Sequence, residues 1–546
     1  MKMNNLLFII QEVKSVVTSG LVDLKRKEGK GMKPQVLIVG AGPTGLALAV
    51  ALQKQGIPFR IIDKNRGPGT LSRAMAVHAR TLELYSQFGL ADRLIEAGIK
   101  ATALQIFKDA KRVSRVELGE KLAEHISPYP YLLSLAQDEH EAILIEYLQA
   151  KGVMVEWETG LLDLKETDGR VHVTIQRQGG EEELFYDYVC GCDGAHSTVR
   201  KALGLGFPGG TYEQVFFLAD VKTKHPLPGM GPAFSDKEFC LALTLRDTEH
   251  ARFIGLIPKE ILSRGIPSAL DPLIPYIEKM VPVKIEEVNW YSSYKVHHRV
   301  SEKFRVGRVF LTGDAGHIHS PAGGQGMNTG IGDAMNLGWK IAAVLQKKAA
   351  ERILDSYEEE RLSFAKTLVA TTDRLFKGLV QVIEGKRLAS AIYKEVIIPH
   401  ILPKLVKFPG VREKLFKTMS QTQIHYRGSL LSAGKIGTIH GGDRLPWVQT
   451  DGGDNFKPLQ SVDWQLHLYG ETTPSLRKFA EKNALALHEV KWTPDVGRSG
   501  IQKNSVFLVR PDGYIAVAVT PQEVGKMQAF LDEYRIVPFG NKPFSR

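Results

Sequence analysis

A chain of 546 residues, 43% hydrophobic and 24% charged, is too long for one core and too apolar for global disorder. Its three cysteines, Cys190, Cys192 and Cys240, are too few for a disulfide framework or a zinc cluster, and no apolar run approaches the roughly 18 residues of a membrane span. The net charge of +11 sits in two stretches: residues 1–33 hold seven Lys or Arg against three acids, and residues 374–417 hold ten against three. Two isolated basic stretches, without interleaved exposed aromatics across a folded face, argue against nucleic acid as a partner. They leave open a weak contact with an anionic membrane surface.

Residues 1–32 read as a flexible extension. MKMNNLLFII begins like a signal peptide, but its apolar run, Leu6 to Ile10, is shorter than the about 7–15 residues of a secretory core. Met32 stands directly before the first strand, and the expected compartment is the cytoplasm. From Gln35 the chain reads QVLIVGAGPTGLALAVALQKQGIPFRIIDK. Val36 to Val39 predict a buried parallel strand, Thr44 to about Gln55 a helix, and Phe59 to Ile62 a second strand. Gly40, Gly42 and Gly45 supply G-x-G-x-x-G at the turn. The first glycine tightens the turn, the second lets backbone approach a pyrophosphate, and the third packs helix on strand. The helix N-terminus, with Pro43 and Thr44, offers N–H groups to phosphate. Asp63, followed by Lys64, is placed to accept from a ribose diol.

ALQIFKDAKRVSRVEL at 103–118 predicts a hairpin, and short alternating runs between 215 and 260 predict further sheet strands. Two segments repeat the strand, Gly/Asp turn and helix order: VCGCDGAHSTVRKALG at 189–204, and 309–345, which contains TGDAGHIHSPAGGQGMN. Gly323, Gly324 and Gly326 leave bare backbone for a large flat ligand, and a helix from about Asn328 would favour negative charge at its start. Asp193 and Asp314 also suit simple helix capping. His317 and His319 lack a third partner for a metal, so none is expected. Residues 355–417 predict helices broken by Pro399, Pro403 and Pro409, with 374–417 a basic helical linker. Residues 418–546 return to strands and helices, with a PDG turn at 511–513 and no cysteine, which excludes thiol redox chemistry there.

With these three motifs in order, the sequence resembles the single-component FAD-dependent aromatic hydroxylases, similar to 4-hydroxybenzoate and phenol hydroxylases, in the branch with a C-terminal thioredoxin-like domain. The resemblance implies an α/β fold: a Rossmann-like FAD-binding domain at 33–373 with an inserted antiparallel substrate sheet (about 101–130 and 210–298), plus the appended domain at 418–546. It implies that Gly40, Gly42 and Gly45 hold the FAD pyrophosphate and Asp63 the adenosine ribose. Arg73 would lie beside the pyrophosphate, Gln137 and Asp314 on the ribityl chain, and Asp193, Gly194 and Arg200 near FAD and transient NAD(P)H. Gly326, Met327 and Asn328 would meet the flavin pyrimidine edge. Pro321 matches the second residue of a proline pair whose first is replaced by Ser320.

The implied function is hydroxylation of a phenolic or polycyclic aromatic substrate with NADH or NADPH and O2 through a C4a-hydroperoxyflavin, in a monomer or homodimer. Expected pocket walls are Phe217, Phe239, Leu241, Leu243 and Phe253, with His78, His297 and His298 as weak candidates for a base that ionises a phenol. The alternatives are a flavin epoxidase, an antibiotic-modifying monooxygenase, or a non-enzymatic FAD-binding scaffold.

Overall fold

The computed structural model describes residues 34–69, 74–117, 125–235, 237–245, 249–320, 323–383, 385, 402–405, 408–450 and 452–540. The expectations for residues 1–32, Arg73, Pro321 and 386–401 of the basic linker lie outside the described residues.

Strand β1 (Val36–Val39) is buried along its whole length because both of its faces are covered. Val36 and Ile38 join the core under the helices, while Leu37 and Val39 join a second core beneath the antiparallel meander 160–186. Such double burial is why the sequence is uninterruptedly apolar there. Helix α1 (Pro43–Lys54) leads to β2 (Phe59–Ile62), which pairs parallel with β1. Helix α2 (Ala79–Ser86) follows. A hairpin, β3 (Ala103–Lys108) and β4 (Lys111–Glu117), precedes α3 (Gln137–Gln149). On the other edge of β1 lies β5 (Tyr188–Gly191), which feeds the short helix α4 (Thr198–Ala202).

The chain then builds β6 (Gly209–Thr223), β7 (Gly231–Ser235), β8 (Glu238–Leu245) and β9 (His250–Leu256). After α5 (Ile274–Met280) comes β10 (Ile285–Val300). It returns to the first sheet through β11 (Arg305–Val306) and β12 (Val309–Leu311), then forms β13 (His317–Ile318). The first sheet runs β11-β12-β5-β1-β2 and the second β13-β10-β6-β9-β8-β7-β3-β4. The second is antiparallel except where β7 meets the hairpin in parallel, so the hairpin and the later strands form one surface.

Helix α6 (Gly326–Leu345) is buried over most of its 20 residues, and Gly338 lets it press on α1: a Cβ there would lie 2.6 Å from that of Ala51. It starts at Gly326, two residues before the start expected from the sequence. The 29-residue α7 (Asp355–Ile383) follows, and α8 (Pro409–Met419) leads into the C-terminal part. There β14 (Ala433–Ile436), β15 (Ile439–His440), β16 (Gln465–Tyr469), α9 (Pro474–Lys482), β17 (Ala486–Val490), β18 (Ser505–Val509), β19 (Ile515–Val519) and α10 (Val524–Tyr534) succeed one another. The strands make a mixed sheet in the order β15-β14-β19-β18-β16-β17, and the PDG turn joins β18 to β19. No helix of the described residues is long and apolar enough to cross a membrane.

Candidate functional site

The three glycine-bearing turns meet at the carboxyl ends of β1, β5 and β12. Gly40 has φ +105°, and a Cβ there would collide with the carbonyl of Cys192. A Cβ on Gly45 would be driven into the Gly40 carbonyl oxygen. Gly42 differs: no atom lies within 4 Å of the place a Cβ would take, so the backbone is bare toward open space. Helix α1 starts there with Pro43 in its first turn and no side-chain cap. Asp63 closes β2, accepting from Ala41 N at 2.8 Å and Asn65 N at 2.9 Å, while Lys64 is exposed. Thr44 locks the first turn to the third, since its Oγ1 would lie 2.5 Å from a Cβ on Gly313 and would also overlap one on Gly330.

At the second turn Asp193 Oδ2 accepts from Thr198 N at 2.6 Å and Val199 N at 3.2 Å, so one carboxylate oxygen serves the start of α4. Gly194 follows in the left-handed region at φ +76°. Arg200 donates to Ala315 O and Ala195 O, each at 2.7 Å, and lies over the Phe207 ring. Its guanidinium therefore ties the second turn to the third, where Asp314 is exposed. Gln137 opens α3, accepting from Ala74 N and donating to Glu141. Burial pushes the Glu141 carboxyl up to about 7.

Helix α6 has no side-chain cap, so the N–H groups of its first turn, Gly326, Met327 and Asn328, carry the positive end of the helix dipole. The Asn328 amide is committed elsewhere. Its Oδ1 accepts from His78 N and Thr81 Oγ1, and its Nδ2 donates to Ala76 O and Gly324 O. Underneath, Asp333 accepts from Gly313 N, His317 Nε2 and Arg361 Nε. Burial would raise that carboxyl, but Arg361 and His317 outweigh it and hold it below the ordinary range. His317 is thereby a strut beneath the turn. Among the described residues no group of three His, Cys, Asp or Glu is arranged to hold a metal ion. Cys190 and Cys192 are buried and free, and burial pushes the Cys192 thiol up to about 12, which suits packing.

The second sheet covers this region, and its register sorts the expected pocket residues. Leu218, Asp220, Leu241, Leu243, Arg252 and Ile254 are direct cross-strand partners and share one face. At its edge Leu243 packs with Leu245 on Met75 and Ala136, the residue before Gln137. Phe217 and Phe253 point the other way, into a core with Leu273, Ile277 and Met280 around α5. They are corrected from pocket wall to the back of the sheet: side chains alternate, and both faces are apolar, so composition alone did not separate them. Phe239 packs at a tilt against Phe234 on the adjacent strand.

The three candidate bases are not brought together. His78 lies beneath the glycine turn with Nε2 on Gly323 O at 3.1 Å; His297 is exposed with Nδ1 on Thr211 Oγ1; His298 packs on Tyr212. Sequence reasoning missed Arg252, which is 1% exposed and grips Asp220 through two 2.6 Å bonds on the face it shares with Leu241 and Leu243. A charge in each of two apolar paired runs, FFLADV and ARFIGL, was the available signal.

The family described as "FAD binding domain" matches residues 33–372. The chain belongs to that family. It is 31% identical to a flavin-dependent monooxygenase of Mycobacteroides abscessus over 88% of this chain and 96% of the relative. It is also 31% identical to the 6-methylpretetramide 4-monooxygenase of Streptomyces rimosus, over 93% and 95%. Among solved structures, the anhydrotetracycline hydroxylase OxyS from Streptomyces rimosus superposes with a TM-score of 0.72 at 26% identity, covering 93% of this chain and 99% of that one. The protein is thus an FAD-dependent monooxygenase.

Three fully enclosed histidines give the monooxygenase a defined acid sensitivity. Burial lowers His78 and His140 to about 4 and His467 to about 3, from an ordinary 6.5. The unfolded chain therefore takes up these protons first as pH falls, so stability rises with pH across this window. Thermal denaturation at fixed ionic strength is expected to show progressive loss from about pH 6.5 to about pH 4. A flat profile over that range would contradict the neutral, buried assignment.

Proposed function

We propose that the monooxygenase hydroxylates a phenolic or polycyclic aromatic compound with NADH or NADPH and O2. The observation carrying this reading is the apolar sheet face of Leu241, Leu243 and Ile254 around the Arg252–Asp220 pair, whose edge packs on Met75 and Ala136. An aromatic ring suits the apolar part of this face. Two similar proteins are named for 6-methylpretetramide and anhydrotetracycline, which supports the polycyclic end of the range.

The residues present fit FAD. The open cradle at Gly42 and the uncapped start of α1, with Pro43 and Thr44, suit its pyrophosphate, and Asp63 beside Lys64 suits the adenosine ribose. Gln137, Asp193, Gly194 and Asp314 would surround the middle of the cofactor. Arg200 would serve by holding the Asp314 turn, since its donors are committed to backbone carbonyls. The backbone of Gly326, Met327 and Asn328 would meet the pyrimidine edge. When bound, FAD would supply the redox chemistry, linking oxidation of the nicotinamide to transfer of one oxygen atom from O2. The chain orients the substrate against the sheet face and keeps water from that volume. His78, neutral and tied to Gly323, would position the glycine turn rather than accept a phenolic proton.

The C-terminal sheet, with α9 and α10 packed on it, is read as a thioredoxin-like domain without cysteines, serving structure. Residues 1–31 precede the family match, so deleting them is expected to leave FAD content and turnover unchanged; loss of either would make the extension part of the fold. Leu405, Phe408 and Val411 are exposed beside Lys404 and Lys414, which supports a weak anionic-membrane contact. Failure to cosediment with phosphatidylserine vesicles at low salt would remove that contact. The proposed substrate class is tested by a screen of ligand-stimulated NADPH oxidation with mass detection over phenols, polycyclic quinones and phenolic antibiotics. Stimulation and a product 16 mass units heavier are expected for at least one ring compound. No stimulation by any of them would overturn the class.

A further inference from the structure

The segment that leaves α8 for the C-terminal sheet passes directly against the start of α6. Gln421 is 4% exposed and has φ +60°, the left-handed conformation common in the residue that follows a helix C-cap, here Ser420. Its Nε2 donates to Thr329 Oγ1 at 3.0 Å and lies 3.4 Å from Gln325 Oε1. Thr329 is in the first turn of α6, and Gln325 occupies the position from which a side chain would otherwise cap it. The same segment is anchored on both sides. Arg80 N donates to Ser420 O, Arg361 Nη1 donates to Tyr426 OH, and Arg361 Nη2 donates to Thr329 O. Gln421 also lines a small cavity with Arg80, Asn328, Met335, Arg361 and Tyr426, beside the start of α6.

We infer that Gln421 is a positioning residue for the flavin: it braces the first turn of α6 from the C-terminal side, keeping the N–H groups of Gly326–Asn328 aimed at the pyrimidine edge. This rests on the reading that the flavin edge meets this helix start. Uncapped helix ends fray, and a frayed end loses the fixed dipole that stabilises negative charge on a reduced ring. Gln421 holds the two flanking side chains without consuming the N–H groups themselves. The C-terminal third thereby contributes to the flavin site, although its own sheet lies elsewhere.

Gln421→Gly separates this role from folding, because glycine relieves the positive φ while deleting the amide. The holoprotein is expected to stay folded, with a melting temperature close to the wild-type value, because relief of the positive φ offsets the lost bond. FAD affinity should fall about 5-fold, the loss expected for one buried hydrogen bond. The two-electron flavin potential should fall by about 20 mV, the equivalent of a fivefold weaker preference for the reduced form. Thr329→Val should reproduce the potential shift and add nothing to it in the Gln421→Gly background. A wild-type potential and flavin spectrum in Gln421→Gly would overturn the inference. Gly326→Asp places a carboxylate at the helix start itself. If that variant leaves the potential unmoved, the reading of the flavin edge fails; if it lowers the potential while Gln421→Gly does not, only the brace fails.

Discussion

Gly42→Ala is expected to give a folded protein that has lost FAD, whereas Gly45→Ala is expected to lose the fold of the turn as well. The two glycines stand three residues apart in one motif, yet a methyl group meets different surroundings at each. At Gly45 it would enter the Gly40 carbonyl oxygen, backbone that cannot swing aside. Overpacking of that kind costs about 1–3 kcal/mol or more. At Gly42 the methyl would meet nothing within 4 Å, and φ is an ordinary −75°. Its only consequence would be to occupy the space where a pyrophosphate would approach α1. Charge-assisted hydrogen bonds contribute about 1.5–3 kcal/mol each, so losing two weakens FAD binding by about 100-fold or more. Apoprotein reconstitution followed by flavin fluorescence, beside circular dichroism, measures both effects. Normal FAD affinity in Gly42→Ala would move the pyrophosphate away from this turn.

The second large effect is expected at Glu360 on α7, fully buried where the FAD-binding body meets the C-terminal sheet. Its carboxylate accepts from Asn336 Nδ2, Lys340 Nζ, Ser429 Oγ and both Nη atoms of Arg510, at 2.6–3.0 Å. Burial alone would raise its pKa, but Arg510 and Lys340 more than offset this and keep it ionised. Burial lowers Lys340 to about 8 even with Glu360 beside it. Glu360→Ala leaves Lys340 buried without a carboxylate and Arg510 with Asp512 alone, and breaking such a buried pair costs about 3–5 kcal/mol. Urea denaturation should show that loss. The exposed pair Arg93–Glu146 is the contrast, and removing Glu146 should cost less than about 1 kcal/mol. A small loss at Glu360 would mean that this network does not hold the C-terminal part in place.

What the sequence made legible follows from which signals are local. The first strand, turn, helix and second strand could be read because β-branched residues, glycine spacing and a terminal Asp each constrain backbone within a few residues. The PDG hairpin was legible for the same reason, with Gly513 at φ +76°. The partners of Arg200, Asn328 and Gln421 were not legible, because those side chains act across 115, 250 and 92 residues. Glu360 and Arg510 were not legible as partners either, because they are 150 residues apart and only the fold buries them against each other. Phe217 and Phe253 were misplaced for a different reason. Alternation identifies two faces of a strand, but only the elements packed against them, here α5, say which face is which. The meander 160–186, charged along its outer side, carried no feature that linked it to the core under β1.

The central claim is most directly tested by isotope transfer. Purified FAD-loaded enzyme, supplied with NADPH, 18O2 and an aromatic substrate found by the screen, should form a product carrying one 18O atom, with NADPH oxidation accelerated by the substrate. NADPH consumption that incorporates no 18O into any aromatic compound tested would contradict the account.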